Sequence, residues 1–521
     1  MSQKELTSTD YFAVANNNKP QLQTSVIDNP KIVELETDPQ AFCGFRTVNS
    51  RTTLNSLAAL DFNRGDKVIF DFGNHYVGHF GIDLVDHGNP MDSPLAISFK
   101  FAELPAELGF DSSTYQGLIS SSWIQEEFLH IDHLPCHLEL PRRYSFRYVE
   151  VEIKDTSSQW SVRLSKPYIK AQSAVNDVNI APLKTKDKLL QRLDEVSIKT
   201  LRDCMQDVFE DGPKRDQRLW LGDLRLEALA NDVTFKNYSL TKRCLYLFAG
   251  SITSDDRIPA DVFTNNRIVP DTVFFFDYSL FFISVLKDYV QETNDSVTLT
   301  ELYPIAKRAI NKALTYVNDQ GLLVAPDDWR VFVDWSQVID KDTAGQGILL
   351  YTLKQFVELA KKVSDKDLLT YEQLVKDLTN SAVENLFDSE QQLFISGPRQ
   401  EVNIASQVWM VLAHILSDQD NKALMDMALK RLFPITGIVT PYMYHHIVQA
   451  LFESDHYEQA IKLLKSYWGK MIDLGADTFW EAFDPNDLDF SPYGSPIINS
   501  YCHAWSCTPT YLLRKYCPNK I

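Results

Sequence analysis

Cysteine is scarce in this chain and is not arranged for cross-links or for zinc. The 521 residues include 7 cysteines, an odd number, with no CxxC pair and no cysteine–histidine spacing of the zinc type. Free thiols in a reducing compartment fit this pattern best. We therefore expect free cysteines in a cytoplasmic protein.

Long hydrophobic runs are also missing. Residues 1–21 hold no apolar stretch of the signal-peptide type, and runs such as Val273–Phe276 and Ser279–Leu286 fall well short of the about 18 residues that span a membrane. The 70 acidic residues outnumber the 51 basic ones, for a formal charge of −19, and a protein this acidic repels phosphate backbones. We expect a soluble protein with neither a nucleic-acid nor a membrane partner.

The motifs of several enzyme classes are absent as well. No GxGxxG, P-loop or GxSxG motif occurs, so nucleotide-dependent and serine-hydrolase activities have no support. The EF-hand pattern is missing, and Arg215 and Arg218 within the richest carboxylate cluster would oppose a bound cation. We expect no cofactor and no metal. Aromatic residues reach 12%, which is compatible with sugar stacking, although core packing accounts for most aromatic side chains.

The hydrophobic pattern divides the chain into two parts. Leu95–Phe101, Val149–Ile153 and Trp160–Leu164 alternate apolar and polar residues, and clusters rich in Gly, Pro, Asn and Asp separate such runs. This pattern predicts antiparallel strands in a β-sandwich. We place the β-sandwich domain at residues 1–180.

Near residue 185 the period changes from two to that of a helix. Apolar stripes run from Leu189 to Met205, from Leu349 to Ala360 and from Tyr457 to Trp468. At roughly 25 to 30 residues per helix and loop, residues 181–521 hold about a dozen helices. An (α/α)6 barrel or an α-solenoid would use that number, and the lack of a fixed sequence repeat disfavours the solenoid.

Three segments in the helical part have the composition of a site. Asp211–Asp223 packs six charges, two glycines, a proline and a tryptophan into thirteen residues. Carboxylates there could bind sugar hydroxyls, guanidinium groups could orient them, and an indole could form a flat apolar wall. Gly475–Asp484 places Trp480 beside Glu481, and Asn499–Pro509 contains a His-Ala-Trp sequence.

Together these segments resemble the sequence blocks of the α-L-rhamnosidases of glycoside hydrolase family 78. Asp211–Asp223 is similar to the first block, and Gly475–Glu481 and Ser500–Ser506 to the two later blocks, in the same order. Ser145–Val151 resembles part of the N-terminal sandwich of that family. The resemblance implies a β-sandwich leading into an (α/α)6 barrel catalytic domain, with the site at one mouth of the barrel. Only fifteen residues follow Ser506, so a compact form is expected.

The resemblance also implies an exo-acting, inverting α-L-rhamnosidase. The compact chain without a signal segment leads us to expect small rhamnosides as its substrates. The general acid falls on Asp216, with Asp211 as the fallback because this block is one residue shorter than in many members, and the general base falls on Glu481. Asp211 and Asp223 would hold sugar hydroxyls, and Arg215 would fix the cluster. The remaining candidates for substrate binding are Trp220, Asp334, Trp335, Trp480 and His503.

Two alternatives remain open at this point. One is another inverting (α/α)6 glycosidase, such as an α-glucosidase, and the other is a catalytically inactive sugar-binding protein on the same scaffold. The sequence does not decide the oligomeric state, for which a homodimer is our hypothesis. It does not give the aglycone or the linkage preference either.

Overall fold

The computed structural model describes residues 6–176 and 180–517. Within them an antiparallel sheet domain precedes a helical domain, as the two periods predict. The predicted boundary at residue 180 adjoins residues 177–179, which lie outside the described residues, so the domain limits 1–180 and 181–521 stay predictions.

The part of the chain before the barrel contains nine strands and three helices among the described residues. The strands are β1 Gln23–Ile27, β2 Lys31–Thr37, β3 Phe45–Asn49, β4 Lys67–Gly88, β5 Leu95–Ala102, β6 Glu126–Ile131, β7 Cys136–Glu139, β8 Tyr144–Asp155 and β9 Trp160–Ser173. The helices are α1 Ser8–Asn17, α2 Leu54–Leu57 and α3 Pro105–Gly109. The three predicted strands lie within β5, β8 and β9, so the alternation of apolar residues is confirmed as strand structure.

The long strand β4 lies in the middle of the nine-stranded sheet, between β9 and β8. Its first part pairs with β8 and its second part with β9, all antiparallel, and the register with β8 shifts between Asp71 and Tyr76. Phe80, in the second part, contacts Phe99 and Phe101 of β5, with ring centroids 5.8 and 5.9 Å apart. The two layers therefore enclose a core of phenylalanine and β-branched side chains.

The second domain contains twelve helices within residues 188–516. They are α4 Lys188–Cys204, α5 Leu221–Val233, α6 Tyr238–Gly250, α7 Phe276–Thr293, α8 Ser296–Leu314, α9 Asp342–Val363, α10 Leu368–Leu386, α11 Ile404–Leu412, α12 Asp418–Leu432, α13 Pro441–Glu453, α14 Tyr457–Asp473 and α15 Pro509–Tyr516. Five two- or three-residue strands lie between them: β10 Leu219–Trp220, β11 Asp261–Phe263, β12 Val269–Pro270, β13 Phe387–Asp388 and β14 Leu393–Phe394.

Every second helix belongs to a closed inner ring. α5 packs against α7, α7 against α9, α9 against α11, α11 against α13, α13 against α15, and α15 against α5. The six other helices pack on the outside of this ring. The architecture is the (α/α)6 barrel that the helix number allowed.

Burial separates the inner from the outer helices. The inner helix α13 buries every residue except Glu453, whereas the outer helix α10 buries only Tyr371, Leu378 and Ala382. The predicted apolar stripes fall on α4, α9 and α14 and point into the barrel wall. Of the helices within the described residues, none combines the length and the apolar character that a bilayer crossing requires.

The first helix of the chain lies against the barrel and not in the sandwich. α1 packs on α6, where Tyr11 contacts Tyr246, and the guanidinium of Arg243 donates to the carbonyl oxygen of Ala15 at 2.7 Å. The sequence pattern did not predict this helix or its place. A helix from the start of the chain thus helps to form the outer wall of the barrel.

Candidate active site

The loop between α4 and α5 carries the first predicted block. The amide of Asp211 donates to the carbonyl oxygen of Arg218 at 3.0 Å, and the amide of Arg218 donates to Asp211 Oδ1 at 3.1 Å. The carbonyl oxygen of Asp211 accepts from the amide of Ala504 at 2.7 Å, which ties this loop to the third block. The loop is therefore closed on itself and anchored on both sides.

Asp216 and Gln217 have an unusual backbone conformation. Both are left-handed, with φ of +66° and +53°, which non-glycine residues seldom adopt. The amide of Gln217 donates to the carbonyl oxygen of Arg215 at 2.9 Å, and its side chain donates to that of Pro213 at 2.8 Å. These contacts stabilise a strained backbone conformation of the kind found at functional sites. Asp216 lines the adjacent cavity.

The second and third blocks run side by side. The amide of Glu481 donates to the carbonyl oxygen of Ser500 at 3.0 Å, and the amide of His503 donates to that of Phe479 at 2.9 Å. The indole of Trp505 donates to the carbonyl oxygen of Glu481 at 2.9 Å. The three blocks, separate in sequence, therefore meet in one place.

They enclose a cavity at the end of the barrel where the inner helices begin. Asp223 lies in the first turn of α5, Phe275 caps the start of α7, and Phe332 and Trp335 lie in the loop before α9. The lining consists of Asp211, Asp216, Trp220, Asp223, Phe275, Tyr278, Phe332, Trp335, Glu481, Tyr493, His503 and Trp505. Seven of the ten candidate residues are in this set: Asp211, Asp216, Trp220, Asp223, Trp335, Glu481 and His503.

The four carboxyl groups of the cavity differ in their exposure. The side chain of Asp216 is 20% exposed, against 6% for Asp211, 4% for Glu481 and 2% for Asp223. Burial, followed by the charges of Asp216 and Asp223, raises the pKa of Asp211 well above its usual range. Burial and the charge of Glu481 do the same to the pKa of Asp223. Asp211 and Asp223 thus favour their protonated forms.

Glu481 is held by two donors. Arg215 forms an ion pair with Glu481 Oε2, and the hydroxyl of Tyr493 donates to Glu481 Oε1 at 2.5 Å. The guanidinium of Arg215 stacks over the Tyr493 ring at 4.2 Å, and its Nη1 lies 3.5 Å from Asp216 Oδ1. Arg215 is therefore placed between the two candidate catalytic carboxyl groups.

Several polar atoms of the cavity wall have no hydrogen-bond partner among the described residues, and two of them, His503 Nδ1 and Asp223 Oδ1, lie 3.6 Å apart. They are Trp220 Nε1, Trp335 Nε1, Asp223 Oδ1 and His503 Nδ1. Burial and the charge of Arg215 lower the pKa of His503 well below its usual range, so its ring is neutral. Buried polar atoms are normally paired, so this set is ready to bind hydroxyl groups. Two carboxyl groups beside aromatic walls can perform acid–base chemistry on such a molecule.

Comparison with known proteins identifies the family. Residues 29–171 match the model of the glycosyl hydrolase family 78 α-rhamnosidase N-terminal domain, and residues 179–517 match that of the bacterial α-L-rhamnosidase six-hairpin glycosidase domain. The chain belongs to glycoside hydrolase family 78. It is an α-L-rhamnosidase by family, and neither alternative from the sequence is favoured.

A solved structure supports this assignment of the family 78 hydrolase, and two more distant ones share its fold. A rhamnosidase from Klebsiella oxytoca with rhamnose bound is 41% identical, with a TM-score of 0.95, and the match covers 98% of this chain and 99% of that one. The family 78 rhamnosidase of Bacillus sp. GL1 is 21% identical, with a TM-score of 0.72 over 86% of this chain and 46% of that one. A Streptomyces avermitilis α-L-rhamnosidase complexed with L-rhamnose is 17% identical, with a TM-score of 0.67 over 95% and 44%. A search of curated proteins found no match.

Three candidate residues of this family 78 hydrolase do not line the cavity. Arg215 lies between Asp216 and Glu481, as described above, and is not part of the lining. Trp480 packs away from it against Phe42 and Tyr501, with ring centroids 4.6 and 5.3 Å away, because adjacent residues of this extended segment point to opposite sides. The expected place of Trp480 in the pocket wall is therefore corrected to the core behind it.

Asp334 is also placed differently from the expectation. Its carboxylate accepts from the amides of Ser336 and Thr440 at 2.7 and 3.0 Å and from the Thr440 hydroxyl at 2.5 Å. Burial raises its pKa to about 6. The Asp334 carboxylate therefore joins the loop before α9 to the start of α13, and it does not line the cavity.

Five lining residues were not among the candidates. Trp505 lies in the segment Asn499–Pro509, which was singled out by composition, and Phe332 lies two residues before the candidate Asp334. Phe275 and Tyr278 lie in or beside apolar runs, and Tyr493 lies in a loop. One signal was available for Tyr278. A Cβ at Gly222 would come within 2.3 Å of the Tyr278 ring, so glycine in the first turn of α5 makes room for it.

The described residues hold one cluster of potential metal ligands, outside the cavity. It consists of His75, Asp203 and Cys502. Asp203 accepts from His75 at 2.6 Å and also pairs with Lys199, whose cationic group opposes a metal ion. Burial disfavours a charged His75, but Cys502, Asp203 and Glu103 raise its pKa well above its usual range. The cluster is thus a buried polar contact between the two domains.

Proposed function

We propose that this hydrolase is an exo-acting, inverting α-L-rhamnosidase that removes a terminal rhamnose from small glycosides. Asp216 acts as the general acid and Glu481 as the general base. The observation that carries the proposal is a cavity at one end of the barrel in which carboxyl groups of different exposure face unpaired hydrogen-bonding atoms and aromatic walls.

In this proposal the sugar binds to the cavity atoms that have no hydrogen-bond partner in the protein. The indole groups of Trp220 and Trp335 can donate to ring substituents, and Asp223 Oδ1 and His503 Nδ1 can take up hydroxyl groups. The rings of Trp505, Phe332 and Tyr278 provide apolar surface for the faces of the pyranose. The methyl group at C5 of rhamnose suits such an apolar wall.

Asp216 is favoured as the acid because of where the leaving group must lie. When an exo-acting enzyme holds a terminal sugar in a pocket, the glycosidic oxygen and the aglycone point toward the opening. Asp216 is the most exposed of the four cavity carboxyl groups, and its half-exposed neighbours Trp220 and Trp335 mark the same opening. The acid that protonates the departing oxygen is therefore on the solvent side.

Asp211 stays as the alternative acid. Its raised pKa keeps a proton available, which a general acid needs. Its Oδ1, however, accepts from the amide of Arg218, and its side chain lies deeper in the cavity than that of Asp216. We assign Asp211 to a sugar hydroxyl and Asp216 to proton transfer.

Glu481 has the surroundings of a base that activates water. Arg215 supplies the opposite charge beside it, and the Tyr493 hydroxyl fixes the orientation of its carboxyl group. Inversion needs a water between this group and the anomeric carbon, so the two carboxyl groups should be about 6.5–9.5 Å apart. The insertion of the Arg215 guanidinium between Asp216 and Glu481 keeps them out of direct contact and supports this arrangement.

The first experiment is a panel of nitrophenyl glycosides tested with the purified protein. We expect hydrolysis of the α-L-rhamnoside and none of the α-glucoside. Glu481→Gln is the matched control for a contaminating activity. Binding of rhamnose without hydrolysis of any glycoside would contradict the proposal. The homodimer, the cytoplasmic location and the absence of a metal, nucleic-acid or membrane partner rest on the sequence alone.

A further inference from the structure

A short segment, residues 497–501, begins in the 3₁₀ turn Pro496–Ile498 and lies beside the candidate base. The carbonyl oxygen of Ser500 accepts from the amide of Glu481 at 3.0 Å, and that of Ile498 accepts from Arg215 Nε at 3.3 Å. The carbonyl oxygens of Ile497 and Asn499 accept from Lys214 Nζ at 3.1 and 2.8 Å. Four consecutive carbonyl groups thus support Glu481, its ion-pair partner and the lysine next to that partner.

The sandwich domain holds this segment through two glutamates. Glu103 and Glu107 follow strand β5, at the end of the sandwich that faces the barrel. Glu103 Oε2 accepts from the amide of Tyr501 at 2.6 Å, and Glu107 forms an ion pair with Lys214. All four residues are buried. These contacts cross from one domain to the other within a few residues of the catalytic groups.

The glutamates are themselves fixed by the sandwich. Glu103 Oε1 accepts from the hydroxyl of Ser145, on β8, at 2.8 Å. Glu107 Oε2 accepts from the amides of Glu103 and Leu104 at 2.7 and 2.9 Å. Since each carboxylate has one oxygen on the sandwich and one on the barrel, the position of segment 497–501 is set by a rigid sheet and not by the barrel loops alone.

From this network we infer that Glu103 and Glu107 of the sandwich are positioning residues for hydrolysis in the barrel. They act through segment 497–501 and Lys214 on Glu481 and Arg215, and they touch no substrate. The inference rests on the role proposed for Glu481. It gives the sandwich domain a part in the reaction besides folding.

The expected signature is a loss of kcat with little change in KM. A displaced base no longer aligns its water, and a misplacement of about 1 Å costs about 10²-fold in rate. Trp220 and Asp223, which bind the sugar in our proposal, take no part in this network. Trp335 packs against the apolar cluster of Tyr493, Ile497 and Ile498, which the variants keep. Because every substrate needs the attacking water, the loss should be equal for good and poor leaving groups.

The test compares Glu103→Ala with Glu103→Gln. The glutamine keeps an oxygen for the Tyr501 amide, so we expect it to restore most of the activity, whereas the alanine variant should lose kcat about 10- to 100-fold. For the second contact, Glu107→Leu is combined with Lys214→Met so that no unpaired charge remains buried. We expect this double variant to fold and to show the same loss of kcat.

A control variant separates positioning from general coupling of the domains. Gln172 on β9 donates to Gln206 at 3.1 Å across the same interface, away from segment 497–501. Gln172→Ala should keep kcat and KM. Folded Glu103→Ala and double variants with kcat within twofold of the wild type would overturn the inference, as would a Glu103→Gln variant no better than alanine. If Glu103→Ala fails to fold, the double variant decides. A wild type inactive on every rhamnoside would instead refute the proposed function.

Discussion

The two domains differ in whether all of their buried polar side-chain atoms have hydrogen-bond partners. Within the described residues, all buried side-chain nitrogen and oxygen atoms without a hydrogen-bond partner belong to residues 218–508, in the barrel. In the sandwich, buried charges are matched: Asp71 accepts from Arg147 at 2.7 and 2.8 Å, and Glu103 accepts from Ser145 and Tyr501. The sandwich satisfies its polar groups, as folded proteins generally do.

The difference shows where the molecule gives up stability for activity. An unpaired buried polar group costs about 1–3 kcal/mol, and a site retains such groups when a ligand is to pair with them. The atoms of Trp220, Asp223, Trp335 and His503 face the cavity and meet this condition. We conclude that the sandwich is built for rigidity and that the barrel mouth is built for binding.

The largest effect should come from the base in the barrel. Replacing Glu481 by Gln removes the group that activates water, so kcat should fall by about 10²–10⁴-fold for every rhamnoside. Rhamnose binding, measured by calorimetry, should remain. Loss of binding together with kcat would instead indicate that Glu481 mainly holds the sugar.

Replacing Asp216 by Asn should show a dependence on the leaving group. On a natural disaccharide kcat should fall by about 10²–10⁴-fold, and on an activated aryl rhamnoside by much less, because such a leaving group needs little protonation. Asp211→Asn is the matched control, with a loss that does not depend on the leaving group. The opposite pattern in the two variants would move the acid to Asp211.

A core substitution in the sandwich should lower stability without lowering activity. Phe80 is fully buried against Phe99 and Phe101, so Phe80→Ala should lower the free energy of unfolding by about 3–5 kcal/mol. Denaturant unfolding measures this change. Well below the unfolding midpoint, kcat should stay at the wild-type value because no contact to segment 497–501 is lost. A large fall in kcat of the folded variant would contradict the rigid role given to the sandwich core.

A smaller effect is expected at Tyr493. Tyr493→Phe removes one hydrogen bond to Glu481 but keeps the ring under Arg215, so kcat should fall about tenfold. Steady-state kinetics should show KM nearly unchanged. A variant with full activity would mean that Arg215 alone orients the base.

The last prediction is a pH dependence of stability and concerns Glu227, one turn after Asp223 on α5. Both of its oxygens are buried without a partner, and burial, then the charges of Asp223 and Asp211, raise its pKa well above the usual value. Above about pH 4.3 the unfolded chain releases a proton that the folded chain keeps, so this residue makes stability fall as pH rises.

Glu227→Gln should remove that slope. Relative to the variant, the wild type should lose up to about 1.4 kcal/mol of unfolding free energy per pH unit until the folded-state pKa is reached. Unfolding at several pH values between 4.5 and 8 measures the difference. Parallel curves for the two proteins would show that Glu227 is ionised in the fold.

Much of the fold followed from the spacing of apolar residues. Period-two runs located β5, β8 and β9, and helical stripes located α4, α9 and α14, because each element buries one face. The helix α1 was not predicted, since its place on α6 depends on a partner more than 200 residues away. The number of helices allowed the barrel, but only the contact of α15 with α5 closes it.

Site residues that are close together in the sequence were predicted, and residues that come together only in the fold were missed. The segment Asp211–Asp223 carries its own charges and turn, so Asp211, Asp216, Trp220 and Asp223 could be named together. Tyr493 and Tyr278 come from a loop and a helix without a local signal and meet the others only in the fold. Trp480 and Asp334 were predicted to line the site but do not, since composition does not tell on which side of a segment a side chain lies.

The stereochemistry of the product tests the central claim most directly, because it depends on both carboxyl groups and on the water between them. Proton NMR of the sugar released from an α-L-rhamnoside in the first minutes, before mutarotation, identifies the anomer that forms first. Single displacement with Asp216 as acid and Glu481 as base predicts β-L-rhamnose. α-L-Rhamnose as the first product would require a covalent intermediate and would contradict the roles assigned to both residues.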